Sequence, residues 1–210
     1  MLKHIKSFTR ETAGAAMVEF TIIVSMLLIV TGGMVEFAIA TSQWNAATKA
    51  VQLGARLASV SDPVDSSLPA LSGLVGGALP GDPYPASAYS SRVCSGSGGS
   101  CTGGGTYDAT AMRTLVFGRG QTTCGTIGAD QSPAMCDIFP GIAPANVIVT
   151  YTNSGLGFAG RPGGPVPTIT VQLQNITYSF VFLNALLGYT PITMPPLSAT
   201  ATGEDMKTTN

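Results

Sequence analysis

Residues 15–40 read AAMVEFTIIVSMLLIVTGGMVEFAIA and carry only two charged side chains, Glu19 and Glu36. No other feature limits the fold so strongly, because a helix apolar all round must be covered by lipid or protein on every side. The uncharged run between the two glutamates, residues 20–35, is 16 residues long. At about 1.5 Å per residue it spans about 24 Å, less than the roughly 30 Å of a bilayer's hydrocarbon layer. Carried on to Ala40, the helix reaches about 39 Å, which is ample. A helix centred near Leu28 puts Glu19 and Glu36 near opposite edges of the layer, where a carboxylate costs much less than at the midplane. The segment therefore reads as one membrane-spanning helix. Lys3, Lys6 and Arg10 precede it against one acid, Glu11. The N-terminus is thus expected to stay cytoplasmic and the remainder to cross.

A cleavable secretory signal is the competing reading. Ala38-Ile39-Ala40 fits an A-x-A cut that would release a soluble chain from Thr41. Against it, Glu36 would sit just before the cut, and the apolar run exceeds the usual core of about 7–15 residues.

Composition narrows the function. Charged residues are 10% of the 210, against a usual share of about 25%. The 10 Lys and Arg are balanced by 11 Asp and Glu, for a net charge of −1. That leaves no positive excess for phosphates, so nucleic acid is not an expected partner. The single histidine is His4, in the polar N-terminal stretch. A Ser-His-Asp triad, a Cys-His pair and an H-E-x-x-H zinc site all lack their histidine. No enzymatic activity, cofactor, metal or small-molecule substrate is expected. Asp62 with Asp65, and Asp130 with Asp137, are the carboxylate pairs open to a catalytic reading. They lie in loop sequence without a supporting motif and read as solvated turn aspartates.

Beyond the membrane, Ser42 to Val60 still reads helical. Asn45, Lys49, Gln52, Arg56 and Ser59 recur every three or four residues and form one narrow polar stripe. The rest of that surface, from Trp44 to Ala58, is apolar and needs a cover. Trp44 suits either the outer membrane interface or a packing position under the distal domain. Gly32-Gly33 suits either close helix packing or a flexible point. Asp62-Pro63 stops the helix. The expected result is one helix from about Ala15 to about Ser59, about 70 Å long.

The distal part is rich in turns. Residues 62–107 hold five prolines and end in the tract SGSGGSCTGGG, residues 95–105. Leu68 to Leu79 has room for a short helix. Asp108 is an N-cap ahead of Ala109 to Phe117, and Gly118 a stop. Strand patterns follow at Asn146–Thr152, Thr168–Phe182, Ile192–Met194 and Leu197–Thr202. Their short connections imply antiparallel pairing. Cys94, Cys101, Cys124 and Cys136 allow three connectivities. Cys94–Cys101 with Cys124–Cys136 is favoured because short loops close cheaply. A zinc site is disfavoured, since the spacings are not C-x-x-C and no histidine is near. Asn175-Ile176-Thr177 fits a glycosylation triplet inside a strand pattern and reads as chance.

The stretch Gly14-Ala15-Ala16-Met17-Val18-Glu19-Phe20 resembles class IV prepilin-type signals, above all those of tight-adherence (Tad/Flp) pili. RETAGAAMVEFTIIVSMLLIVTGG and the later Gly54-Ala55-Arg56 resemble TadE-like minor pseudopilins over residues 10–58. The resemblance implies a leader, residues 1–14, cut between Gly14 and Ala15 by a membrane-embedded prepilin peptidase. Glu19 would then be the fifth mature residue, followed by Phe20. It would neutralise the new amine of Ala15 on a neighbouring subunit and so set axial register. Pairing two charges in low dielectric favours that register, although the net energy is small. Ala15 and Ala16 would let helices approach closely. The mature chain would hold 7 bases and 10 acids.

The fold expected is α+β and pilin-like: a long N-terminal transmembrane and stalk helix packed on a small antiparallel sheet, with loop-rich, disulfide-stapled insertions. Its parts are a leader at 1–14, a transmembrane helix at 15–40, an amphipathic stalk at 41–61 and an extracytoplasmic domain at 62–210. The function implied is that of an assembly subunit in the bacterial inner membrane. Its partners are the membrane, the peptidase and other pilin-type helices. The alternative is an uncleaved, signal-anchored surface module that binds through loops 62–140.

Overall fold

A computed structural model describes residues 12–125, 127, 132–188, 190–203 and 205–207. Lys3, His4, Lys6, Arg10, Glu11 and Asp130 lie outside the described residues. A single helix, α1, runs over Thr12–Val60. It ends one turn before Pro63, whose ring and missing N–H bar its continuation. The chain divides into two compact units. One contains α1 up to Ser42 together with Ser179–Ile192; the other contains Gln43–Tyr178 and the chain from Thr193 onward.

In the second unit the strands form an antiparallel sheet in the order β2-β1-β3-β4-β7. These are β1 (Arg92–Ser95), β2 (Ser100–Cys101), β3 (Val147–Leu156), β4 (Val166–Leu173) and β7 (Leu197–Thr202). Register places Cys101, Cys94, Val149, Val171 and Ala199 in one row across the sheet, and Arg92, Tyr151, Ile169 and Ala201 in the next. Alternation then sends Val147, Val149, Tyr151, Ile169, Val171 and Leu173 into the core, all at most 2% exposed. Burial of each large apolar side chain contributes about 1.5–3 kcal/mol. The outer part of α1 adds Ala47, Ala50, Val51, Ala55 and Ala58 to this core, while Asn45, Lys49, Gln52 and Arg56 stay exposed. Four of the five stripe residues are therefore exposed where the sequence spacing puts them, while the fifth, Ser59, is half-buried. The class is α+β, a long apolar helix packed on an antiparallel sheet.

Two helices complete the unit. In α2 (Ala109–Phe117), the Asp108 carboxylate accepts from the N–H groups of Thr110 and Ala111 at 2.7 and 3.2 Å. Gly118 closes it at φ 93°, a backbone state that favours glycine. The four-residue α3 (Met135–Ile138) packs against α1: a Cβ at Gly54 would come within 2.6 Å of Met135 Sδ. The glycine of Gly54-Ala55-Arg56 thus makes room for a fully buried methionine.

Several expectations change. Leu68 to Leu79 holds only a 3-10 turn, Leu68–Ala70. The stretch Thr168–Phe182 is not one strand. Asn175 takes φ 56° and breaks it into β4 and the two-residue β5 (Thr177–Tyr178); asparagine tolerates this left-handed state better than most residues. The Asn175 triplet accordingly begins in the break between β4 and β5 and ends in β5. A short helix, α4 (Phe182–Leu187), follows, and β6 (Ile192–Thr193) pairs with β5. The Gly/Ser tract, read as loop, contributes β2 to the β1–β2 hairpin.

Candidate functional site

The inner part of α1 presents apolar side chains in all directions. Met17, Phe20, Met26, Leu28, Met34 and Phe37 are each about 60–70% exposed. Among the described residues, this is the one helix long and apolar enough to cross a membrane. Water is a poor solvent for such a surface: at about 25 cal/mol per Å² of apolar area, removal from water is strongly favourable.

Its few polar side chains are suited to lipid. Thr21 Oγ1 donates to the Met17 carbonyl at 2.7 Å, Ser25 Oγ to Ile22 at 2.9 Å, Thr31 Oγ1 to Leu27 at 2.8 Å and Thr41 Oγ1 to Phe37 at 3.1 Å. Each hydroxyl is satisfied within its own helix, which a medium without water requires. Gly14 and Ala15 lie in the opening turns of the helix, exposed, as are Glu19 and Phe20. Glu19 is thus a carboxylate displayed on an apolar surface, near the N-terminal end of the run.

Glu36 is treated quite differently. It is 2% exposed. Its Oε1 accepts from the Val181 N–H and its Oε2 from the Phe182 N–H, both at 2.7 Å. The carboxylate therefore caps the first turn of α4, where backbone N–H groups lack helical partners. Phe182 lies over Gly32, whose added Cβ would sit 3.7 Å from the Phe182 Cβ. Gly32 thus faces Phe182 with room for a methyl group, and α1 continues through Gly32-Gly33 without interruption. Sequence spacing offered no route to this contact.

In the other unit the notable polar group is Asp65, which is fully buried rather than a solvated turn residue. Its carboxylate accepts from Arg92 Nη1 at 2.9 Å, Ser67 Oγ at 2.6 Å, the Thr106 N–H at 2.8 Å and the Ser67 N–H at 3.1 Å. Burial alone would raise its pKa; these hydrogen bonds and the Arg92 charge outweigh it and hold the carboxyl below its ordinary value. Arg92 also lies 5.9 Å from the Tyr89 ring centroid. Tyr151 Oη accepts from the Val64 N–H at 2.8 Å, and burial raises that phenol. This cluster anchors the chain leaving α1 to the sheet and presents no accessible reacting group.

Cys94 pairs with Cys101 across the β1–β2 register, and Cys124 with Cys136. Asp137 accepts from the N–H groups of Gly125 and Ala134, both at 2.8 Å, bracing the second bridge. Asp62 is exposed. Among the described residues no cluster of three His, Cys, Asp or Glu has metal-binding geometry. Trp44 is 39% exposed and outside the core.

Residues 14–56 match the model of the family described as TadE-like protein. The matched stretch covers the exposed apolar helix and ends at Gly54-Ala55-Arg56, where Gly54 and Ala55 are buried and Arg56 is exposed, so the chain carries a TadE-like N-terminal segment, consistent with a protein of the Tad pilus system. No curated protein and no solved structure matches the chain. The family is a pilus-associated structural one, and the apolar helix is a candidate membrane anchor.

Proposed function

We propose that the protein is a minor pseudopilin of a tight-adherence pilus. The supporting observation is a coincidence of position. The residues matched as TadE-like, 14–56, include the helix surface that is apolar on every side and exposed. In this reading the helix holds the chain in the bacterial inner membrane, N-terminus in the cytoplasm and sheet unit outside. Prepilin peptidase cuts between Gly14 and Ala15. The matured helix then packs against other pilin-type helices, Ala15 and Ala16 allowing close approach. Glu19 pairs with the Ala15 amine of a neighbour and selects one axial register. The energy of assembly comes from apolar packing, since a desolvated ion pair returns little net energy.

Mass spectrometry of the membrane-extracted protein tests the maturation. A chain beginning at Ala15 is expected. An intact leader in cells with active prepilin peptidase would exclude the scheme. Glu19→Ala is expected to leave insertion and cleavage unchanged while pilus assembly is lost; normal piliation would remove Glu19 from the mechanism.

A further inference from the structure

The segment Ser179–Ile192 belongs to the same compact unit as the anchor part of α1. It reads SFVFLNALLGYTPI, within a longer stretch that has no charged residue between Arg161 and Glu204. Val181, Phe182 and Ile192 are 61%, 50% and 53% exposed. These are side chains that a water-facing loop would bury or replace.

Position along α1 gives the depth. Glu36 lies 17 residues beyond Glu19, about 26 Å at the helical rise, which puts it close to the outer edge of a roughly 30 Å hydrocarbon layer. Phe182 rests on Gly32, about 6 Å further in. An apolar pocket of about 440 Å³ continues inward between Leu28, Gly32, Val35, Phe182 and Ala185. Leu28 is about 12 Å inside the level of Glu36. The excursion thus lies against a part of α1 below the membrane surface, and its exposed apolar side chains continue the lipid-facing surface of that helix.

We propose that residues 179–192 form a second membrane-inserted element, covered by the acyl chains of the outer leaflet and latched to the anchor by Glu36. This rests on the membrane-anchor reading of α1. A chain dipping into hydrocarbon must satisfy its own backbone donors. Glu36 supplies acceptors for two N–H groups at the start of α4, which no preceding helical turn could satisfy. The protein would then hold the bilayer at two places far apart in sequence, with the carboxylate between them.

Quenching by lipids brominated along their acyl chains tests this on the full chain in phosphatidylcholine vesicles. Trp44 is the single tryptophan, so Trp44→Phe gives a silent background for Phe182→Trp or, as a control on α1, Met34→Trp. Both reporters are expected to lose most of their emission. Quenching of Met34→Trp without Phe182→Trp would overturn the inserted excursion, leaving its patch to water or another protein, while the anchor stands. Failure of both would overturn the anchor and the proposal with it. Adding Glu36→Ala is expected to abolish quenching at position 182 and spare position 34; quenching retained at both would overturn the latch.

Discussion

The two parts of α1 share one backbone and present opposite kinds of surface. From Gly14 to Ser42 the helix exposes mostly apolar residues, and the hydroxyls of Thr21, Ser25, Thr31 and Thr41 turn back on carbonyls of the preceding turn. From Gln43 to Val60 it has one buried face of alanine, valine and glycine and one exposed face of Asn45, Lys49, Gln52 and Arg56. The first part makes few contacts with the rest of its chain and must find its cover elsewhere. The second is covered by its own domain. Helix propensity does not distinguish them; the arrangement of polar residues around the axis does.

The sharpest way to break that contrast is to damage one part and look for an effect on the other. Asp65→Ala leaves Arg92 buried without its counter-charge, which costs about 3–5 kcal/mol. Thermal unfolding of the sheet unit in detergent-solubilised full chain should show this, with membrane insertion unaffected. The same carboxyl gives a pH dependence. Its folded pKa is depressed, so its contribution is complete above the unfolded value of about 3.9 and disappears as pH falls through the lower folded value. The stability difference between wild type and Asp65→Asn should therefore shrink on acidification below about pH 4.

Leu28→Arg reverses the experiment. A charge at the centre of a spanning helix costs about 2.5–3.5 kcal/mol on insertion scales. Extraction with alkaline carbonate should release the variant, while the sheet unit melts as before. A control, Gln52→Arg, places the same charge on the exposed stripe and should change stability by less than about 0.5 kcal/mol. An effect smaller than that of Leu28→Arg tests the seam between α1 and its own domain. Gly54→Ala pushes a methyl group onto Met135 and should cost about 1–3 kcal/mol by overpacking. A neutral result in the same thermal melt would mean that Met135 has room to swing aside.

Local signals in the sequence are the most legible. The Asp108 cap with the Gly118 stop, the end of α1 before Pro63, the stripe at Asn45 to Arg56 and the strand at Leu197–Thr202 each depend on residues close together in the chain. The pairing of Cys94 with Cys101 and of Cys124 with Cys136 likewise follows the cheapest closures. What stayed hidden depends on distant partners. Asp65 looks like a turn aspartate until β1 brings Arg92 across 27 positions. Alternation alone carried the strand reading through Asn175, where a left-handed residue ends it. Glu36 looks like an edge carboxylate, because nothing near it in sequence announces Val181 and Phe182.

That last contact also sets an order of events during synthesis. The Val181 and Phe182 donors are 145 and 146 positions from Glu36. At about 5–20 residues per second, the ribosome makes them roughly 7–30 s after the glutamate. A helix that leaves the translation machinery early thus waits for partners made much later, and the Glu36 contact closes only after β1 to β5 have been synthesised.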